Sequence, residues 1–167
     1  MTTLADLHRA VRTTLTSKRL GTPVFVRYLY HAPIKGQAVL ARLAKTTAIV
    51  RDWLGQPIER VFAQGSAASR HVTLTLEFRG GPTAVVTWIG TTGRGSGVDL
   101  TVLGNHGAMN HDAGDANLWD DAFASDDAAP ERDLVTLIER AIKSGRPEPL
   151  TPNPSPPRGE GRQGGDR

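Results

Sequence analysis

Two short stretches and the four residues between them constrain this chain more than any other feature. From His71 to Phe78, Val72, Leu74, Leu76 and Phe78 alternate with Thr73, Thr75 and Glu77. A period of two sends the first set to one face of a β-strand and the second to the other, so one face is buried and the other is more polar. Arg79-Gly80-Gly81-Pro82 follows, and paired glycines supply the positive φ that a tight hairpin requires. Thr83 to Ile89 then returns as the second strand.

The flanking segments say what covers that hairpin. Residues from about Thr3 to Arg19 read as a helix, with Leu4, Leu7, Val11 and Leu15 at the 3.6-residue period and Gly21 as a stop. Pro23 opens a β-rich run, Val24 to Tyr30, which Pro33 ends. Between Gly36 and Leu54 a second helix places Leu40, Leu43, Thr47, Val50 and Leu54 on one face, and Arg42, Lys45, Arg51 and Asp52 off it. Ile58 to Ala63 and Val98 to Leu103 read as further strands, and Asn105-His106-Gly107 turns the chain towards another short one. A last helix spans Pro130 to Ser144, with Glu131 and Asp133 at its positive end, Lys143 near its negative end and Gly145 as its stop. This order predicts an α+β fold: a two-layer, mostly antiparallel, open-faced sheet with helices packed on one face. An uncovered sheet face with apolar content is a natural dimer surface.

Residues 1–150 are expected to form one domain with a single core, since 167 residues are too few for two domains of usual size. After Leu150 no apolar residue can dock the Pro- and Gly-rich tail, so residues 151–167 are expected to be disordered. The absence of cysteine excludes disulfides, thiolate metal sites and a cysteine nucleophile. No segment approaches the roughly 20 apolar residues that span a bilayer, and the N-terminus lacks a signal-peptide core, so a cytoplasmic protein without a membrane partner is expected. The net charge of +3 is laid out unevenly, basic before Arg79 and acidic from Asp112 to Asp133. Because the basic groups are scattered over helices and strands, they read as solvated faces, with no nucleic acid as partner.

Five segments carry a resemblance when taken in order: Lys18 to Arg27, Arg51 to Val61, Leu76 to Pro82, Leu100 to Gly107, and Ile138 to Pro147. They resemble "GRLG-x-P-x-x-V-R", "WLLGEP-x-x-V", "L-x-F-x-GG", "L-x-x-x-G-x-x-G" and "AI-x-x-GRP" of the C-terminal domain of the Gfo/Idh/MocA family, NAD(P)-dependent sugar and polyol oxidoreductases. The tail, Leu150 to Arg162, resembles instead a translated intergenic repeat, where family domains continue into a closing helix. The resemblance implies a substrate and oligomerisation domain whose NAD(P) belongs to a preceding Rossmann domain, so no cofactor is expected on this chain. Gly93-Arg-Gly-Ser-Gly97 is no substitute, because it joins two strands rather than a strand and a helix N-terminus.

The same resemblance removes the chemistry. The family motif "D-x-G-x-H-x-x-D", counted back from Trp53, puts Arg42 at the first Asp, Thr46 at the His and Ile49 at the second Asp. Positioned acid–base groups contribute about 10²–10⁴ in rate, so the chain is expected to be non-catalytic alone, a truncated relative of the enzymes. Its expected partner is a second copy, or a separate Rossmann-domain subunit that would restore a split oxidoreductase; a truncated-gene relic is the remaining reading. Arg27, Tyr30, Lys45 and Thr46 fall where family members present the substrate side of the cleft, and residual polyol binding would use them. The competing reading puts Arg27 and Tyr30 at a sheet edge. His106, His111, Asp112 and Asp115 lack the spacing of a strong metal motif, and the acidic stretch 112–127 lacks the order of a calcium loop, so no metal is expected. Neither Ser66 nor Ser96 lies in a nucleophile elbow.

Overall fold

The computed structural model describes residues 4–34, 37–92, 96–112 and 131–150. Three helices, α1 (Leu4–Thr16), α2 (Gln37–Leu54) and α3 (Arg132–Ser144), accompany seven strands: β1 (Pro23–Ala32), β2 (Ile58–Ser66), β3 (His71–Phe78), β4 (Thr83–Gly90), β5 (Gly97–Gly104), β6 (Gly107–Asp112) and β7 (Glu148–Pro149). They form one sheet in the order β6-β5-β1-β4-β3-β2-β7. Its pairings are antiparallel except for β1 with β4, which run side by side with Tyr28 opposite Val86. The fold is α+β, as the residue pattern predicts.

Strand alternation decides which residues reach the core. Val26, Tyr28 and Tyr30 of β1, Val72, Leu74 and Leu76 of β3, Ala84, Val86 and Trp88 of β4, and Val98, Leu100 and Val102 of β5 are buried on one face. The helices close that face with Leu4, Leu7 and Val11 of α1, Val39, Leu43 and Val50 of α2, and Leu134, Leu137, Ile138 and Ala141 of α3. The β3–β4 hairpin forms with Gly80 at φ +83° and Gly81 at φ +99°, the conformations expected of it. Gly81 donates its N–H to the Phe78 carbonyl at 3.2 Å.

Two helix boundaries differ from the sequence reading for one physical reason. The first helix stops at Thr16 rather than near Arg19, because Lys18 takes φ +55° and turns the chain. The turn brings Leu20 and Gly21 against Gly104 and Asn105: Thr22 N–H donates to Asn105 Oδ1 at 2.8 Å, and His106 N–H to the Leu20 carbonyl at 3.0 Å. A Cβ on Gly104 would lie 1.9 Å from the Leu20 carbonyl oxygen, and one on Gly21 2.0 Å from Asn105 Oδ1. Glycines from two of the resembling segments thus permit a single backbone-to-backbone contact.

The last helix begins at Arg132, two residues later than expected. Glu131 stands at its N-cap without capping it, and its carboxylate instead takes two hydrogen bonds from the Arg51 guanidinium, both at 2.8 Å. That pair ties α2 to α3. Burial on α2 is also wider than its predicted stripe, taking in Thr46 and Trp53. The glycine loop 93–95, the acidic stretch 113–130 and the tail 151–167 lie outside the described residues.

Candidate functional site

Position 42 begins a stripe on α2, since residues 42, 46, 49 and 53 recur at helical spacing. Arg42 and Ile49 are half-buried, and Thr46 and Trp53 are buried. The stripe meets Tyr28 and Tyr30, which alternation sends inward from β1. His8 completes the group from α1.

The aromatic rings are closely fitted. His8 Nε2 and Tyr28 Oη are 3.0 Å apart. His8 meets the Trp53 ring edge-on at 5.4 Å between centroids, Tyr28 stacks on Trp53 at 6.1 Å, and Tyr28 meets Tyr30 edge-on at 6.2 Å. Edge-to-face and offset arrangements at such distances are the favourable ones for aromatic quadrupoles. Thr46 Oγ1, Thr47 Oγ1 and Trp53 Nε1 are buried here without a hydrogen-bond partner among the described residues.

Burial sets the protonation states. It raises both phenols above the ordinary tyrosine value, an effect that the charge of Arg42 only partly opposes. It also lowers the Arg42 guanidinium to about 10, against the opposing pull of Tyr30 and Tyr28. At neutral pH the tyrosines therefore keep their protons and Arg42 keeps its charge. Neutral phenols and a guanidinium donate hydrogen bonds; neither removes a proton from a substrate alcohol.

The structure does not bring Arg27, Tyr30, Lys45 and Thr46 to one surface. Arg27 is exposed on the open face of the sheet, whereas Tyr30 is fully buried on the helix-covered face. Thr46 is fully buried as well, and Lys45 is half-buried beside it on α2. Nor do Arg27 and Tyr30 stand at a sheet edge, because β1 is flanked by β5 and β4; the competing edge reading is corrected. His106 sits in the β5–β6 turn and His111 in β6 opposite Leu100, while Asp115 lies outside the described residues. Among the described residues no three His, Asp or Glu side chains gather as metal ligands.

His8 was not singled out by sequence reasoning. Its signal lies in the first helix, where it follows Leu7 and precedes Val11 by three positions, widening the apolar stripe by one side chain.

No family model and no curated protein matches the chain. Solved structures do. The fold is shared with dehydrogenases. Myo-inositol dehydrogenase from Lactobacillus casei, in complex with NAD(H) and myo-inositol, superposes with a TM-score of 0.69 over 90% of this chain and 60% of its own, at 14% identity. A myo-inositol dehydrogenase from Corynebacterium glutamicum gives 0.66 over 87% and 62%, also at 14% identity. A probable dehydrogenase from Thermotoga maritima gives 0.65 over 86% and 61%, again at 14% identity. The chain thus spans 60% to 62% of the length of these structures. At such identity the likeness establishes the fold, and the residues must argue the rest.

Between β1 and α2, from Ala32 to Gln37, the sequence is Ala-Pro-Ile-Lys-Gly-Gln, without the run of glycines that lets a backbone approach a pyrophosphate. Among the described residues no helix is long and apolar enough to cross a membrane.

Proposed function

We propose that this chain works as a C-terminal-type domain of the Gfo/Idh/MocA oxidoreductases, with no NAD(P) site of its own, inactive alone and paired with a second copy through its open sheet face. One observation carries the reading. Arg42 and Thr46 occupy the positions where the resemblance expects an acid and a histidine, on a helix stripe packed onto two buried, protonated tyrosines. Apart from His8, whose ring is turned onto Tyr28 and Trp53, such a stripe offers no base to a substrate alcohol.

Pairing draws support from the opposite face. Phe25, Leu29, Val85 and Phe62 are half-buried there, Leu103 and Ile89 are each 37% exposed, and Thr73 and Thr87 share a hydroxyl hydrogen bond of 3.1 Å between them. Apolar groups on β5, β1, β4 and β2, with the Thr73 hydroxyl of β3 among them, favour a sheet-on-sheet contact.

Two measurements test the reading. The full chain, given myo-inositol with NAD⁺ or NADP⁺, is expected to reduce neither cofactor and to bind neither saturably; turnover or saturable binding overturns the first part. Light scattering at tens of micromolar is expected to return a dimer mass, and a monomer sinks the second.

A second reading is half of a split NAD(P)-dependent sugar or polyol oxidoreductase that works with a separate Rossmann-domain subunit. The 60% to 62% span of the matched dehydrogenases favours it. Activity that appears only when a Rossmann-bearing protein encoded beside this chain is added would select it.

A further inference from the structure

A cleft of about 290 Å³ opens where β1 and β4 end side by side. Because these two strands are parallel while β1 is antiparallel to β5, their carboxyl ends emerge together at a break in strand order, the kind of place where open sheets hold ligands. The volume is close to the lower bound of about 300 Å³ for small-molecule sites.

Its walls are firmly set. Trp88, 1% exposed, forms the floor and donates its indole N–H to the Ala32 carbonyl at 3.3 Å, which clamps the end of β1 to the end of β4. Gly90 donates its N–H to the Arg70 carbonyl at 2.7 Å, pressing the β2–β3 turn onto β4. A Cβ on Gly90 would lie 2.9 Å from Arg70 Cβ and 3.0 Å from the Trp88 ring. Ile34, Ala67 and Ala68 supply an apolar rim.

Arg70 is the residue out of place. It holds φ +55°, a left-handed conformation that glycine or asparagine adopts at this point of a turn far more readily than arginine. Lys18 holds the same angle in its own turn; strain of this kind persists where the surrounding structure fixes it, and it clusters at functional sites. Arg51, Arg60, Arg79 and Arg140 each lie against a carboxylate. Among the described residues the guanidinium of Arg70 has no hydrogen bond or ion pair, and none of those that line the cleft is acidic.

We propose that this cleft binds a small organic anion, its carboxylate or phosphate held by the Arg70 guanidinium and its body resting on Gly90 and the Ile34–Ala68 rim. A planar guanidinium with forked donors matches both headgroups. The site stands independently of the oxidoreductase reading.

The test uses the full ¹⁵N-labelled chain, titrated with glycerol 3-phosphate, with lactate and with glycerol. The Trp88 indole N–H resonance, assigned with Trp88→Phe, is the reporter. At least one anion is expected to shift it saturably in the millimolar range while glycerol does not, and the anion that does so identifies the headgroup. Arg70→Gln is expected to weaken binding about tenfold or more, and Arg12→Gln, on the exposed side of α1, to leave it unchanged. Arg70→Gly is expected to lose the anion while keeping or raising the melting temperature, since it relieves the turn. The proposal is overturned if neither anion shifts the resonance saturably, if Arg70→Gln binds as the parent does, or if Arg12→Gln loses as much. A fall in melting temperature with binding retained in Arg70→Gly also overturns it, by assigning Arg70 to the turn alone.

Discussion

The two faces of the sheet are made from alternate residues of the same strands, yet they do different work. On the helix-covered face Leu74, Val86 and Tyr28 are fully buried, and each side chain is held by neighbours on two layers. On the open face Leu29, Val85 and Leu103 keep part of their surface in water, interleaved with Thr73, Thr87, Asp99 and Arg27. The first face stores the folding energy of the domain. The second is apolar enough to associate and polar enough to stand alone, which is why the proposed pairing is put there. Buried apolar area stabilises by about 25 cal/mol per Å², and only the covered face removes its area from water without a second molecule.

Substitutions that differ by a single step along a strand make this contrast breakable. Leu74→Ala is expected to cost about 2–5 kcal/mol, because it opens a cavity that packed neighbours fill only in part. Chemical denaturation measures it, and a loss no larger than that of a surface substitution would mean that the covered face is not the core. Leu103→Asp, on the open face, is expected to change monomer stability by about 0.5 kcal/mol or less while abolishing self-association in light scattering. Unfolding of the domain by that change would show that the open face is structural after all.

Smaller effects sharpen the picture within the covered face. Tyr28→Phe removes the hydroxyl that meets His8 Nε2 and keeps the ring between Trp53 and Tyr30, so the expected loss is about 0.5–1.5 kcal/mol. A loss as large as that of Leu74→Ala would make the hydrogen bond, rather than ring packing, the tie between α1 and the sheet. The smallest effect belongs to Glu131. Its hydrogen bonds from Arg51 hold its carboxyl below the ordinary value of 4.5, so the pair's contribution is present above the unfolded carboxylate range and is lost as pH falls through the lowered folded value. Glu131 is 49% exposed, which limits Glu131→Gln to about 1 kcal/mol or less at neutral pH. The difference between parent and variant is expected to vanish in acid; a difference that persists there has another origin.

How much was legible in the residues depended on range. The β3–β4 hairpin follows from alternation and from Gly80 and Gly81, both of which act within four residues of the turn. The buried stripes of α1 and α3 follow from period alone. The early stop of α1 does not, because it answers to Gly104 and Asn105, more than eighty residues away. The ion pair of Glu131 was out of reach for a similar reason: its carboxylate meets Arg51, which a reading of the last helix by itself does not contain.

For the candidate site the division is sharper still. Set against the resemblance, the sequence by itself places Arg42 and Thr46 where an acid and a histidine are expected, and it determined the alternation that builds two unlike faces. Only the tertiary structure decided that Tyr30 and Thr46 are sealed in the core while Arg27 opens on the opposite face, and that β1 ends beside β4 with Arg70 over the cleft between them. The physical reason is that side-chain direction along a strand is a local property with a period of two, whereas the identity of the neighbouring strand, and the helix laid across it, are settled by long-range burial that no short window of sequence contains.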